Sequence, residues 1–223
     1  MKVIAVSALK GGAGRSTLSA LLASGLVRKN RRVLLADCDE PQYSSSSWLL
    51  ALRANPKAPV IASGIQYART PSPDRLKAAI EAARAQGYEL VIVDCTPDLR
   101  PGTVARAALL AADLALVPIA GTPAELWAGE DFAKIIRAAQ DATGRPLIAR
   151  LVWNRVQKRK LLDEVRKVAG ETIAIEALGS SLGYRAAYAA MLGGETLATL
   201  PGASTARREA AVLCREVAAL LNL

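Results

Sequence analysis

Histidine is absent from the 223 residues. That excludes a Ser-His-Asp relay and any His-ligated metal centre, and leaves the chemistry to carboxylates, cations and backbone groups. Cysteine is scarce: Cys38, Cys95 and Cys214 lie far apart, without C-x-x-C spacing and odd in number. They read as reduced, buried thiols of a cytosolic protein, not as a disulfide framework or a metal cluster. Aromatic residues supply 4% of the chain, so the core must be built from Ala, Leu, Val and Ile, with many alanines on helices packed closely against a sheet. No unbroken apolar run approaches the ~20 residues that cross a bilayer. The opening Met-Lys-Val-Ile-Ala-Val-Ser-Ala-Leu-Lys-Gly-Gly reads as a strand running into a loop, not as a signal peptide. The sequence predicts a soluble protein.

Charge of one sign is in excess. The formal net charge is +9 and the isoelectric point about 9.8. A basic balance fits either a solvated surface or a polyanionic partner such as DNA, and supports the second only if other features do. Hydrophobic residues at 52% and charged residues at 22% describe a globular chain, long enough for one α/β domain over residues 1–223.

Short β-rich runs alternate with helical stretches, which predicts a three-layer α/β/α fold around a mostly parallel twisted sheet. Strands are expected at Lys2–Ser7, Arg32–Ala36, Leu90–Val93, Leu114–Ile119 and Pro146–Trp153, with further ones around Thr172–Glu176 and Val60–Ala62. Helices are expected after Gly14, Asp74, Thr103, Ala124, Lys158 and Ser204. The stretch Gln42–Ser72, with its serine run and Pro56, Pro59 and Pro71, is expected to be the least regular part, a candidate mobile insertion.

The first strand leads into Lys10-Gly11-Gly12-Ala13-Gly14-Arg15-Ser16-Thr17 and then a helix. Glycines there let backbone N–H groups turn inward around phosphate oxygens, and the helix N-terminus adds its positive end. Ser16 is placed to offer its hydroxyl to Mg²⁺. Against the general G-x-x-x-x-G-K-[ST] pattern, Leu9 replaces the first glycine and Arg15 the lysine. Guanidinium is planar and bulkier than ammonium, so the second exchange is not conservative. Binding of phosphate is expected to survive it, while hydrolysis becomes slow or absent.

Two acidic strand ends follow. Arg32–Ala36 runs into Asp37-Cys38-Asp39-Glu40-Pro41-Gln42, and Leu90–Val93 delivers Asp94. Acids at the C-terminal ends of parallel strands face the crevice where such sheets bind ligands. Four apolar residues before Asp94 make a Walker B arrangement, in which the acid binds Mg²⁺ through water.

Lys10-Gly11-Gly12-x-Gly14 resembles the deviant Walker A loop, K-G-G-x-G-K-[ST], of the ParA/MinD family. Asp37–Gln42 resembles the same family's D-x-D-P-Q, with Glu40 as an extra residue. Val117–Ala128 resembles its P-x-x-P-S-x-x-D-x-W-A stretch, with Glu125 near the family's aspartate, and Leu151–Arg155 its strand-to-asparagine segment. The tail Arg185–Tyr188 through Gly194 and then Ser204–Leu223 matches the small ParA class, so the likeness spans nearly the whole chain. No helix-turn-helix segment precedes the phosphate loop, as in the short ParA type.

The resemblance implies ATP and Mg²⁺ as ligands, held by Gly11, Gly12, Ala13, Gly14, Arg15, Ser16 and Thr17. Lys10 would reach the partner's phosphates across an ATP-sandwich homodimer, Asp39 would orient the attacking water, and Ser16, Asp37 and Asp94 would serve the metal. Asn154 would recognise adenine. It further implies non-specific DNA binding on the nucleoid through basic residues, and a ParB-like centromere-binding or other adaptor protein that stimulates hydrolysis. The basic candidates are Lys158, Arg159, Lys160, Arg166, Lys167, Arg207, Arg208 and Arg215. Plasmid or chromosome partitioning is the leading reading. A ParA-like ATPase of conjugative transfer and a non-hydrolysing, nucleotide-gated DNA-binding scaffold are the alternatives. A lipid anchor in Ala203–Leu221, a glutaminase and an iron–sulfur protein are disfavoured, since the last helix reads as core packing, no glutaminase domain is present and the cysteines lack cluster spacing.

Overall fold

The computed structural model describes residues 1–8, 10–120, 122–157, 166–167, 169 and 173–223. Seven parallel strands form one sheet in the order β3-β2-β4-β1-β5-β6-β7. They are β1 (Lys2–Val6), β2 (Val33–Asp37), β3 (Ile65–Arg69), β4 (Leu90–Asp94), β5 (Leu114–Ile119), β6 (Ile148–Val156) and β7 (Ala177–Gly183). Between the strands run α1 (Arg15–Leu26), α2 (Ser44–Ala54), α3 (Pro73–Ala85), α4 (Val104–Ala111) and α5 (Pro123–Thr143), and after β7 come α6 (Ala186–Met191) and α7 (Ser204–Leu221).

Alternation along the strands explains the three layers. In β1, Val3 and Ala5 join a core with Leu76, Ala105 and Phe132 on one face of the sheet. Ile4 and Val6 join the opposite core with Leu18, Trp48 and Leu213. A central strand apolar on both sides must be covered on both sides, which is why this pattern yields a parallel sheet between helices. β1 lies between β4 and β5, where the strand order reverses and a crevice opens at the C-terminal strand ends.

Several expectations are corrected. The expected strand at Val60–Ala62 is a 3₁₀ turn, Val60–Gly64, and the strand follows it as β3. Pro59 precedes the turn and its carbonyl accepts from Ala62 N–H, while Ile65 is the residue that buries completely against β2. The strand expected around Thr172–Glu176 is β7, several residues later; Thr172 itself lies outside the described residues. Ile173 N–H still closes a helical bond to Ala169 O, and pairing with β6 begins at Ala177. Gln42–Ser72, expected to be irregular, holds α2, the 3₁₀ turn and β3. Serine is a weak helix former in isolation, but packing overrides propensity here. Ser45, Ser46, Trp48, Leu49 and Leu52 are all buried on one side of α2. The helix expected after Lys158 falls largely on 158–165, outside the described residues; α6 was not expected.

Trp48 is the largest side chain of that buried face, and its indole N–H donates to Glu195 O at 2.9 Å. Trp48→Ala is expected to lower unfolding free energy by about 3–5 kcal/mol in denaturant titration. A loss under about 1 kcal/mol would show that α2 is not fastened to the core by this residue. Among the described residues, no helix is long and apolar enough to cross a membrane.

Candidate functional site

Three adjacent strands end at one level. Val6 and Asp37 each pair with Asp94 in register. The chain leaving β1 then turns through Gly12 (φ 75°) and Gly14 (φ 91°) into α1. Both values lie in the left-handed region that glycine adopts freely and other residues do not. A Cβ at Gly11 or Gly12 would meet nothing within 4 Å, so the loop is lined by bare backbone beneath open space. A concave run of glycine backbone at a helix N-terminus suits an anion of phosphate size.

β6 holds the loop from the side. Asn154 is buried; its amide donates to Ala13 O at 2.8 Å, and its carbonyl accepts Arg155 N–H at 3.0 Å. The amide also packs directly on Gly14, leaving no space there for a side chain. Arg155, at φ 58°, sends its guanidinium back to Gly12 O at 2.6 Å. Two consecutive β6 residues thus grip two loop carbonyls. Arg155 had no sequence signal, because neither its left-handed backbone nor its reach can be read from residue type.

Arg15, on the first turn of α1, is 7% exposed and spans the site. Its Nε donates to Cys95 O at 2.7 Å and one Nη to Lys10 O at 2.8 Å; the other Nη lies 3.4 Å from an Asp39 oxygen. One guanidinium therefore ties the beginning of the loop, the end of β4 and the acid beyond β2 together. A primary ammonium has no planar fork with which to meet these three acceptors. Lys10 has an exposed side chain, while Ser16 and Thr17 are half-buried on α1.

The acids differ in kind. Asp37 is buried but satisfied: one oxygen accepts Ser46 N–H at 2.8 Å and the other Asp39 N–H at 3.2 Å. Asp94 is equally buried, yet neither of its oxygens finds a hydrogen-bond partner among the described residues. Burial, and then repulsion from Asp37, raise it from 3.8 to about 7. The hydroxyls of Ser45 and Ser16 stand near enough to favour the charged form, but neither closes a bond to it. Two orphan oxygens on a buried carboxylate, beside a hydroxyl and a phosphate-sized cradle, fit a divalent cation held jointly by protein, water and phosphate.

The structure thus brings together Gly11, Gly12, Ala13, Gly14, Arg15, Ser16, Thr17, Asp37, Asp39, Asp94 and Asn154 around one crevice, with Lys10 at its outer edge. It does not bring the basic candidates there. Arg207, Arg208 and Arg215 lie on α7; Arg166 and Lys167 lie beyond β6; Lys158, Arg159 and Lys160 lie outside the described residues.

A sheet reversing at β1, with a glycine cradle after β1 and an acid ending β4, defines a P-loop nucleotide-binding domain. A family model described as the CobQ/CobB/MinD/ParA nucleotide binding domain matches residues 4–197, and the chain belongs to this family. It is 29% identical over 187 residues to maintenance of carboxysome distribution protein A of Halothiobacillus neapolitanus, covering 83% of this chain and 81% of that protein. It is 32% identical over 158 residues to the chromosome-partitioning ATPase Soj of Thermus thermophilus, covering 62% and 61% respectively. Among solved structures, apo McdA from Cyanthece matches with a TM-score of 0.77 at 16% identity over 99% of each chain. The septum site-determining protein MinD of Pyrococcus horikoshii, complexed with Mg-ADP, matches with a TM-score of 0.70 at 18% identity over 97% of this chain and 95% of that one. Both structural likenesses concern the fold.

Proposed function

We propose that the protein is an ATP-dependent positioning switch: Mg·ATP closes a homodimer, and the dimer holds non-specific DNA while an adaptor protein carries the cargo. The observation that carries the Mg·ATP part of this reading is Asp94, a buried carboxylate at the mouth of a glycine cradle whose two oxygens have no partner among the described residues. Gly11–Thr17 bind the phosphates and Asn154 serves the adenine from its place beside the loop. Ser16, Asp37 and Asp94 would hold Mg²⁺, which would shield phosphate charge. Lys10, exposed at the rim, reaches the partner protomer's phosphates, so its loss removes dimerisation as well as turnover. Asp39 orients the attacking water, but the Arg15 guanidinium already claims it.

The names of the relatives concern carboxysome distribution and chromosome partitioning, so a large intracellular body or a replicon is the class of cargo proposed. The second reading, a switch that binds nucleotide without turning it over, is favoured by one observation. All three nitrogens of Arg15 are directed to protein acceptors within the loop and strand ends.

The test is fluorescence anisotropy of random-sequence duplex DNA with ATP·Mg²⁺, ADP·Mg²⁺ or no nucleotide. Tight binding with ATP alone is expected. Alanine at Arg207 and Arg208 together should lower affinity and flatten the salt slope by about one for each phosphate left without its arginine. Binding indifferent to nucleotide contradicts the switch, and an unchanged slope removes those arginines from the interface.

A further inference from the structure

At the far end of α1 from the phosphate loop, a groove of about 480 Å³ opens between α1, the 3₁₀ turn and α7. Its floor is apolar and built largely of small or aliphatic groups, among them Leu21, Gly25, Ile65, Ala210 and Cys214. The small residues create the depth. Cys214 packs directly on Gly25, leaving no room for a side chain at residue 25. The Cys214 thiol is a wall atom, not a nucleophile, since burial pushes it up to about 12.

The rim has one sign of charge. Arg28, Arg207 and Arg215 line the groove, and no Asp or Glu among the described residues does. Arg28 Nη1 donates to Gly25 O and Val27 O, capping α1, and Arg207 Nη1 donates to Ala198 O. Among the described residues, the remaining guanidinium nitrogens of these two make no hydrogen bond, and neither does Arg215. Three cations with donors to spare therefore surround an apolar trough whose volume lies within the range of small-molecule sites.

We propose that this groove binds an anionic amphiphile, an acyl-chain carboxylate whose hydrocarbon lies on the Leu21–Ile65–Ala210 floor and whose head is held by the arginines. Guanidinium groups meet carboxylates in a planar, two-point fashion and shed water more readily than ammonium. The alkyl chain accounts for the trough, which a DNA backbone, making only phosphate contacts at the rim, would leave unfilled. The site shares no residue with the phosphate loop; it shares Arg207 with the proposed DNA contacts, so binding measured without nucleotide or DNA tests it apart from the nucleotide switch.

Isothermal titration of decanoate below its micelle concentration, without nucleotide, tests the assignment. One saturable site per chain is expected. Decanol, with the same chain and no charge, should bind at least about tenfold more weakly. Arg28→Gln should cost about tenfold through the head group. Ala211→Phe, at an exposed position of the groove wall, should abolish binding by filling the trough. Unchanged denaturation midpoints would confirm that both variants fold. Absence of a saturable site overturns the proposal. So does decanol binding as tightly as decanoate, or full affinity in a folded Ala211→Phe variant.

Discussion

Replacing Arg15 by lysine is expected to raise ATP turnover about tenfold or more at saturating nucleotide, a gain of about 1.4 kcal/mol in transition-state stabilisation. Arginine at this position reaches past the loop to Cys95 O and Asp39, and its fork is committed to protein acceptors. A compact ammonium can sit against the phosphates as a point charge and leave Asp39 free to orient water. The exchange also removes hydrogen bonds from buried acceptors, so some stability should be lost at the same time. Faster turnover in a less stable protein is the paired signature. Turnover no faster than with arginine would mean that the Arg15–Asp39 contact does not restrain hydrolysis.

The second large effect concerns Asp94. In the ligand-free fold its carboxyl stands near 7, against 3.8 for an unburied aspartate. Below 3.8 it is protonated both folded and unfolded and contributes no pH dependence. Between those values the unfolded chain releases the proton while the fold retains it, so stability falls as pH rises; above about 7 the penalty is constant. A rise of about three units corresponds to a penalty of order 4 kcal/mol. Asp94→Asn should therefore stabilise the ligand-free protein at pH 8 by roughly that order, change it little near pH 4, and abolish any stabilisation by Mg²⁺ with nucleotide. Denaturant unfolding across pH 4–8 measures it. A mutant less stable than the parent at pH 8 would show that Asp94 is satisfied by groups within the fold and is not held ready for a cation.

What the sequence made legible follows from where the physics is local. The glycine-rich turn after β1 and the four apolar residues before Asp94 needed only short-range rules: left-handed backbone at Gly12 and Gly14, and apolar runs ending in an acid. α2 was hidden because its serines carry no helix signal of their own; they are helical because Trp48, Leu49 and Leu52 bury the same face. β7 was hidden for a related reason. Its Ala-Leu-Gly-Ser-Ser-Leu-Gly is poor in β-formers, and its backbone is held from outside. Glu216 accepts Gly179 and Ser180 N–H, and Glu209 accepts Gly183 N–H. In the site, the identities of Arg15, Asp39 and Asn154 were legible. Their contacts were not, since Arg15 with Cys95 and Asp39, and Asn154 with Ala13, join residues distant in the chain.

The central claim, that ATP closes two protomers through Lys10, is tested most directly by light-scattering mass in solution with ATP·Mg²⁺, ADP·Mg²⁺ or no nucleotide. A doubling of mass with ATP·Mg²⁺ alone, lost in Lys10→Ala while nucleotide still binds, is the predicted result. A mass that ignores ATP, or doubles equally without Lys10, would contradict it.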